Sequence, residues 1–212
     1  KHRRRQRQMC IRDRFLSLQV LKMKITKTKI EGLSIFEPQI FEDDRGSFFE
    51  SWNENVFKKY LKNIKFVQDN QSVSKKNCLR GLHFQDPPYA QGKLVRVIKG
   101  SVLDVAVDLR KKSKTYGQHE KVILSATNNK IFWIPEGFAH GFLSLEEDTI
   151  FSYKCTNFYN KDSERTILWN DSKLSIDWSI KSKPFISEKD LIGESFDTCL
   201  LYTSDAADDD AC

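Results

Sequence analysis

The sequence predicts an all-β protein, built as a sandwich or a barrel. The chain between about residues 24 and 198 breaks into about ten short β-rich runs joined by turn-rich segments, and one of those runs alternates strictly. Helical patterns do not recur between the runs, which argues against alternating βα units.

Taken in order, KITKTKI opens the series and GSFFESW follows it. NENVFKKYL is the one helical stretch: Asn53 is a capping residue, and Val56, Phe57, Tyr60 and Leu61 fall on one stripe. KFVQDNQSV is the next strand, and Leu94 to Ile98 another, with Lys99-Gly100 as a turn into SVLDVAVDLR. These last two are expected to pair as a hairpin. In SVLDVAVDLR, Leu103, Val105, Val107 and Leu109 alternate with Asp104, Ala106 and Asp108, so one row enters a core and the other faces solvent or a cavity. KVILS, IFWIP, GFLSL and TIFSYKCTNFY complete the strands, with ATNNK and YNKDSE as turn-rich connections. There is no internal repeat and no linker to split the core.

The net charge of +6 on 212 residues would suggest an anionic partner, but it is not spread over the chain. Residues 1–14 carry seven bases and one acid, and everything from Phe15 onward sums to zero. A polybasic nucleic-acid surface on the folded body is therefore excluded. Residues 1–23 form a basic tail, 24–198 the domain, and 199–212 an acidic low-complexity tail containing Asp205, Asp208, Asp209 and Asp210. Like charges repel and bury nothing, so both tails are expected to be disordered and foreign to the working protein. The alternative for the basic end is a nucleic-acid or membrane tether. No apolar run approaches the roughly 20 residues of a membrane span. Cys10, Cys78, Cys155, Cys199 and Cys212 are odd in number and never spaced CxxC, which fits reduced thiols. A cytoplasmic protein with no membrane or nucleic-acid partner is expected.

Dinucleotide, P-loop, nucleophile-elbow and zincin motifs are all missing. His83 lies in CLRGLHFQDPPYAQGKLVRV, read as a turn-rich stretch between strands, with Arg80 and Lys93 on either side. Nearby cations keep an imidazole neutral near pH 7, as a general base must be, yet the pattern alone favours a strand histidine satisfied by a hydrogen bond. His140 sits in IPEGFAHGFLSL, read as a loop between Gly137 and Gly141 that brings backbone to a ligand or serves as a turn. His119 reads as a surface residue at a strand start. With no HxH pair, no bound metal is expected.

FEDDRGSFFESW, FVQDNQSVS, LRGLHFQDPPYAQGKLVRVIKGSVLDVAVDLR, IFWIPEGFAHGFL, YKCTNFY and ILWND, in this order, closely resemble the dTDP-4-dehydrorhamnose 3,5-epimerases. The resemblance runs from about Lys24 to Gly193 and leaves out both tails. It implies a cupin-type jelly roll, a homodimer, and catalysis without metal or organic cofactor. It implies a dTDP-4-keto-6-deoxy sugar substrate, dTDP-4-dehydro-6-deoxy-D-glucose, inverted at C3 and C5 on the way to dTDP-L-rhamnose. Both carbons are α to a ketone, so the chemistry requires a base on one face, an acid on the other, and positive charge or donors at the C4 oxygen.

The resemblance assigns His83 as the base, Asp190 as the carboxylate that orients it, Lys93 to the C4 oxygen, and Tyr153 as the proton donor on the opposite face. Arg45, Glu50, Gln68, Asn70, Arg80, His140, Glu164 and Lys189 match substrate-contact positions. Phe84 stands where the family commonly has Tyr, and Cys78 at a position often small or apolar. The thymine-stacking residue stays open. Rival readings are an epimerase acting at one carbon only, a non-catalytic sugar-nucleotide-binding cupin, and a metal-dependent cupin.

Overall fold

The computed structural model describes residues 23–198. Both tails lie outside this range but for Met23, as do His2, Cys10, Cys199 and Cys212. The elements are β1 (Lys24–Lys27), β2 (Ser34–Glu37), β3 (Phe41–Asp43), β4 (Gly46–Phe48), α1 (Glu54–Phe57), β5 (Gln68–Ser74), β6 (Leu79–Gln85), β7 (Lys93–Lys99), β8 (Ser101–Asp108), β9 (His119–Ser125), β10 (Ile131–Ile134), β11 (Phe138–Ser144), β12 (Thr149–Cys155), β13 (Glu164–Thr166) and α2 (Glu188–Leu191).

A six-stranded sheet runs β1-β2-β10-β7-β12-β5 and a five-stranded sheet runs β13-β6-β11-β8-β9, with β3-β4 as a separate hairpin. Neighbours pair antiparallel throughout. This is the expected all-β, cupin-type jelly roll. The two sheets face one another over Val95, Val97, Phe132, Ile134 and Phe151 from one side and Val102, Ala106, Val122, Leu124, Phe138 and Phe142 from the other. At about 1.5–3 kcal/mol per fully buried large apolar side chain, this shared layer is the main force holding the sheets together.

The expected hairpin between Leu94–Ile98 and the next strand does not form. β7 pairs with β10 and β12, whereas β8 pairs with β9 and β11. The turn at Gly100, where φ is +80°, instead passes the chain from one sheet to the other. Both strands carry apolar residues for the space between the sheets, and crossing over buries both sets.

In β8 the Leu103–Val105–Val107 row does enter a core, but not the one between the sheets. It packs outward against Ile167, Leu174, Trp178 and Phe196 of the C-terminal segment. Because that segment covers the outer face, both rows of β8 are buried, and Asp104 and Asp108 are wholly so. The outer face of the six-stranded sheet is closed at one end by α1 and its surroundings, with Phe57 and Leu61 against Phe36, Leu94, Ile131 and Trp133. Asn53 caps α1 as expected, accepting from the N–H groups of Asn55 and Val56, although the helix is only four residues long and Tyr60 is half exposed.

β2, β3, β6, β13 and α2 go beyond the predicted elements. His83 is in the middle of β6 and His140 in the middle of β11, so neither is a turn or loop residue. His119 does begin β9 and is partly buried. Cys78 and Cys155 are free thiols. Among the described residues no helix is long and apolar enough to cross a membrane.

Candidate active site

A cavity of about 500 Å³ opens between the two sheets, lined by Arg80, His83 and His140 from the five-stranded sheet and by Lys93, Phe151 and Tyr153 from the six-stranded sheet. The C-terminal segment closes one wall with Phe185, Ile186, Ser187, Lys189 and Asp190.

Backbone packing puts the two histidines side by side. β6 and β11 pair with His83 opposite His140, and the register shifts between His140 and Phe142. Gly81 permits this close approach: its φ is +129°, and a Cβ there would lie 2.5 Å from the Cα of Gly141. Neither the backbone angle nor the space suits a side chain.

α2 delivers the carboxylate. Ser187 caps it by accepting from the N–H of Asp190, which fixes the first turn. Asp190 is 2% exposed. Its Oδ1 lies 2.6 Å from Nε2 of His83, and its Oδ2 accepts the N–H of Gly81 at 3.3 Å. Burial pushes this carboxyl up, but the bonds from His83 and Gly81 outweigh it and hold the acid below its usual range. A carboxylate only accepts, so the His83 nitrogen facing it, Nε2, carries hydrogen.

Across the cavity, Lys93 begins β7 opposite Cys155 and Ile134. Burial pushes its ammonium well below the ordinary lysine value, and only partly do Cys155, Asp104 and Glu164 offset that. Tyr153 lies between Asn70 of β5 and Val95 of β7. Burial and the neighbouring Cys155 raise its phenol, which therefore holds its proton at neutral pH. Lys93 and Tyr153 thus line the cavity from the sheet that faces the one carrying His83.

Of the remaining sequence candidates, Arg80 spans the sheets, its Nε donating to Ser74 Oγ at 3.2 Å. Lys189 pairs with Glu164, and the hydroxyl of Tyr159 donates to the same carboxylate at 3.0 Å. Gln68 donates to Asn70 at 3.1 Å, and Asn70 donates to Cys155 Sγ at 3.6 Å; Asn70 lies opposite Tyr153 and Gln68 opposite Cys155, on the same sheet face, although neither lines the cavity. Arg45 and Glu50 are not brought to it. Arg45 lines a separate hollow on the β3–β4 hairpin, bound to Asp43, and Glu50 accepts from Asn53. Sequence reasoning passed over Asp104, whose two oxygens lie 3.1 and 3.0 Å from Nε2 of His140. The signal was present in its place on the cavity row of β8. Among the described residues no group of three or more His, Cys, Asp or Glu side chains could hold a metal ion.

The model of the dTDP-4-dehydrorhamnose 3,5-epimerase family matches residues 27–198. A dTDP-4-dehydrorhamnose 3,5-epimerase of Shigella flexneri is 51% identical over 175 residues, 82% of this chain and 96% of that protein. The crystal structure of the enzyme of that name from Elizabethkingia anophelis aligns with a TM-score of 0.79 at 49% identity, covering 83% of this chain and 97% of its own. A dTDP-6-deoxy-D-glucose-3,5-epimerase from Legionella pneumophila, in complex with dTDP-4-keto-L-rhamnose, aligns with a TM-score of 0.81 at 46% identity, covering 83% and 94%. With acid–base side chains gathered between the sheets of a jelly roll, the chain is an isomerase of the sugar-epimerase class. It belongs to the dTDP-4-dehydrorhamnose 3,5-epimerase family.

Proposed function

We propose that this chain inverts C3 and C5 of dTDP-4-dehydro-6-deoxy-D-glucose to give dTDP-4-dehydro-L-rhamnose. The observation that carries the reading is the His83–Asp190 pair on one wall of a cavity whose facing wall holds Lys93 and Tyr153. Nδ1 of His83 removes the proton α to the ketone, and the electron pair moves into an enolate whose oxygen lies at Lys93. Asp190 stabilises the imidazolium that forms. Tyr153 then delivers a proton to the opposite face, which inverts the carbon, and solvent exchange resets both groups for the second carbon.

Arg80 and Lys189, which line the cavity, serve its nucleotide end, with Arg80 suited to phosphate oxygens by its planar fork and Lys189 held by Glu164 from the adjoining hollow. The chain works as a homodimer. Arg45 and Glu50 lie outside their own chain's cavity, and a second copy supplies the neighbouring cavity that they contact. Residues 24–198 form the epimerase domain.

Incubating the protein with the 4-keto sugar nucleotide in D₂O and reading deuterium by NMR tests this. Label at C3 and C5 together with the inverted product supports it. Label at one carbon replaces it with a single-site epimerase. Absence of turnover, with thymidine diphosphate still raising the melting temperature, replaces it with a binding module. Turnover that is lost on chelation replaces it with a metal-dependent enzyme.

A further inference from the structure

We infer that Asp104 is a positioning residue that fixes the tautomer of His140, so that His140 meets the sugar as a hydrogen-bond acceptor, for a ring hydroxyl and not for the ketone oxygen. This deepens the reading above and rests on it for the identity of the sugar.

Asp104 is fully buried and His140 is 6% exposed, and both carboxylate oxygens lie within 3.1 Å of the same ring nitrogen, Nε2. A carboxylate has no hydrogen to give, so Nε2 must carry one. A bare nitrogen facing two carboxylate oxygens in a buried setting would leave three acceptors opposed.

The surroundings allow the ring only that one hydrogen. His140 is enclosed by Asp104 of β8, His83 of β6, Lys93 of β7 and the ring of Phe151 of β12, stacked at 6.1 Å. Burial disfavours the imidazolium most, Asp104 opposes that, and Lys93 and His83 add to the burial, so the balance lies below the ordinary histidine value. With its single hydrogen committed to Asp104, the ring keeps a lone pair on Nδ1. A lone pair accepts from a hydroxyl and repels a carbonyl or enolate oxygen, so His140 takes no part in holding the developing anion. That task stays with Lys93.

The neighbouring strand repeats the arrangement. His83 and His140 are partners across two strands, and each has Nε2 turned to a buried aspartate that comes from a different element. The same physical device thus appears twice, once behind the base and once beside it.

The test is NMR of the full chain with ¹⁵N-labelled histidine at pH 7, His140 being assigned by its loss in His140→Gln. A hydrogen on Nε2 with a bare Nδ1 is expected. A hydrogen on Nδ1, alone or on both nitrogens, overturns the inference whatever the activity. In Asp104→Asn the tautomers should mix, and KM for the sugar nucleotide should rise about tenfold, as for one lost hydrogen bond, while thymidine diphosphate affinity and kcat change little. Unchanged tautomer and unchanged KM in that variant sink the proposal even if the parent enzyme epimerises both carbons. A parent without turnover would instead sink the proposed function, leaving the NMR result to stand alone.

Discussion

Nε2 of His83 lies 2.6 Å from Oδ1 of Asp190, although the two are 107 positions apart in the chain. The contact exists because β13 flanks only the His83–Gln85 end of β6, while at the start of β6 the N–H of Leu79 donates to the carbonyl of Phe185 in the C-terminal segment at 2.9 Å. That pairing, with the bridge between Cys78 and Phe185, carries α2 to the cavity. Docking of the C-terminal segment and orientation of His83 are therefore one structural event.

Asp190→Asn keeps the shape and removes the charge. His83 should then lose its preferred tautomer and the stabilisation of its imidazolium. We expect kcat to fall by on the order of 10³-fold with little change in KM, measured by steady-state kinetics. A fall below tenfold would mean that His83 does not depend on Asp190.

Tyr153→Phe should separate the two halves of the reaction. His83 can still remove a proton and exchange it with solvent, so deuterium should enter the substrate. Without the phenol on the opposite wall, inversion should slow by about 10²- to 10⁴-fold. Product formation at the parental rate would transfer the donor role to another group.

The parts of this architecture that the sequence announces are those with one clean periodicity. β8 alternates because its two rows face different environments, the space between the sheets and the layer under Trp178 and Phe196. β11 is buried at every position, so FAHGFLS shows no alternation and His140 reads as a loop residue between glycines. β6 hides for another reason: the left-handed Gly81 and the register shift beside it break the period of two that LRGLHFQ would otherwise show. Lys93 and Tyr153 look like ordinary strand residues until the facing sheet is present. Asp190 has no local pattern at all, and only the resemblance singles it out.

Lys93→Met should expose a conflict between stability and catalysis. A buried ammonium pushed below its ordinary value costs the folded state free energy at any pH where the unfolded chain is protonated. That cost is fully present below the folded value and is relieved as pH rises toward 10.5, because the unfolded chain then binds the extra proton less. Methionine removes the charge at similar volume. We expect a higher melting temperature at pH 7 together with a kcat lower by about 10²- to 10³-fold, since the enolate loses its cation. A lower melting temperature would show that Lys93 holds a stabilising partner.

Gly81→Ala should damage the site through the backbone. The added carbon would meet the Gly141 Cα at 2.5 Å and the carbonyl of His140 at 2.9 Å, at a φ of +129°. Neither neighbour is a flexible side-chain tip, so β6 and β11 must separate. Destabilisation of more than about 2 kcal/mol is expected in urea denaturation, with loss of activity even in the folded fraction, because both histidines ride on these strands.

Outside the cavity lining, Asp108 should govern acid stability. It is fully buried, and its carboxylate accepts from Arg110 Nε at 2.8 Å, Ser113 Oγ at 2.6 Å and Thr115 Oγ1 at 2.7 Å. Burial raises the carboxyl, but these bonds win and lower it to about 2 from 3.8. A depressed carboxyl contributes stability that is present above the unfolded value and disappears as pH falls through the folded one. The window is therefore from about pH 4 down to about pH 2. Asp108→Asn should lower stability at pH 7 by roughly 2 kcal/mol, and the gap to the parent should close across that window. Urea denaturation at pH 7, 4 and 3 measures it, and a gap that stays constant with pH would mean that the turn, not the charge, provides the stability.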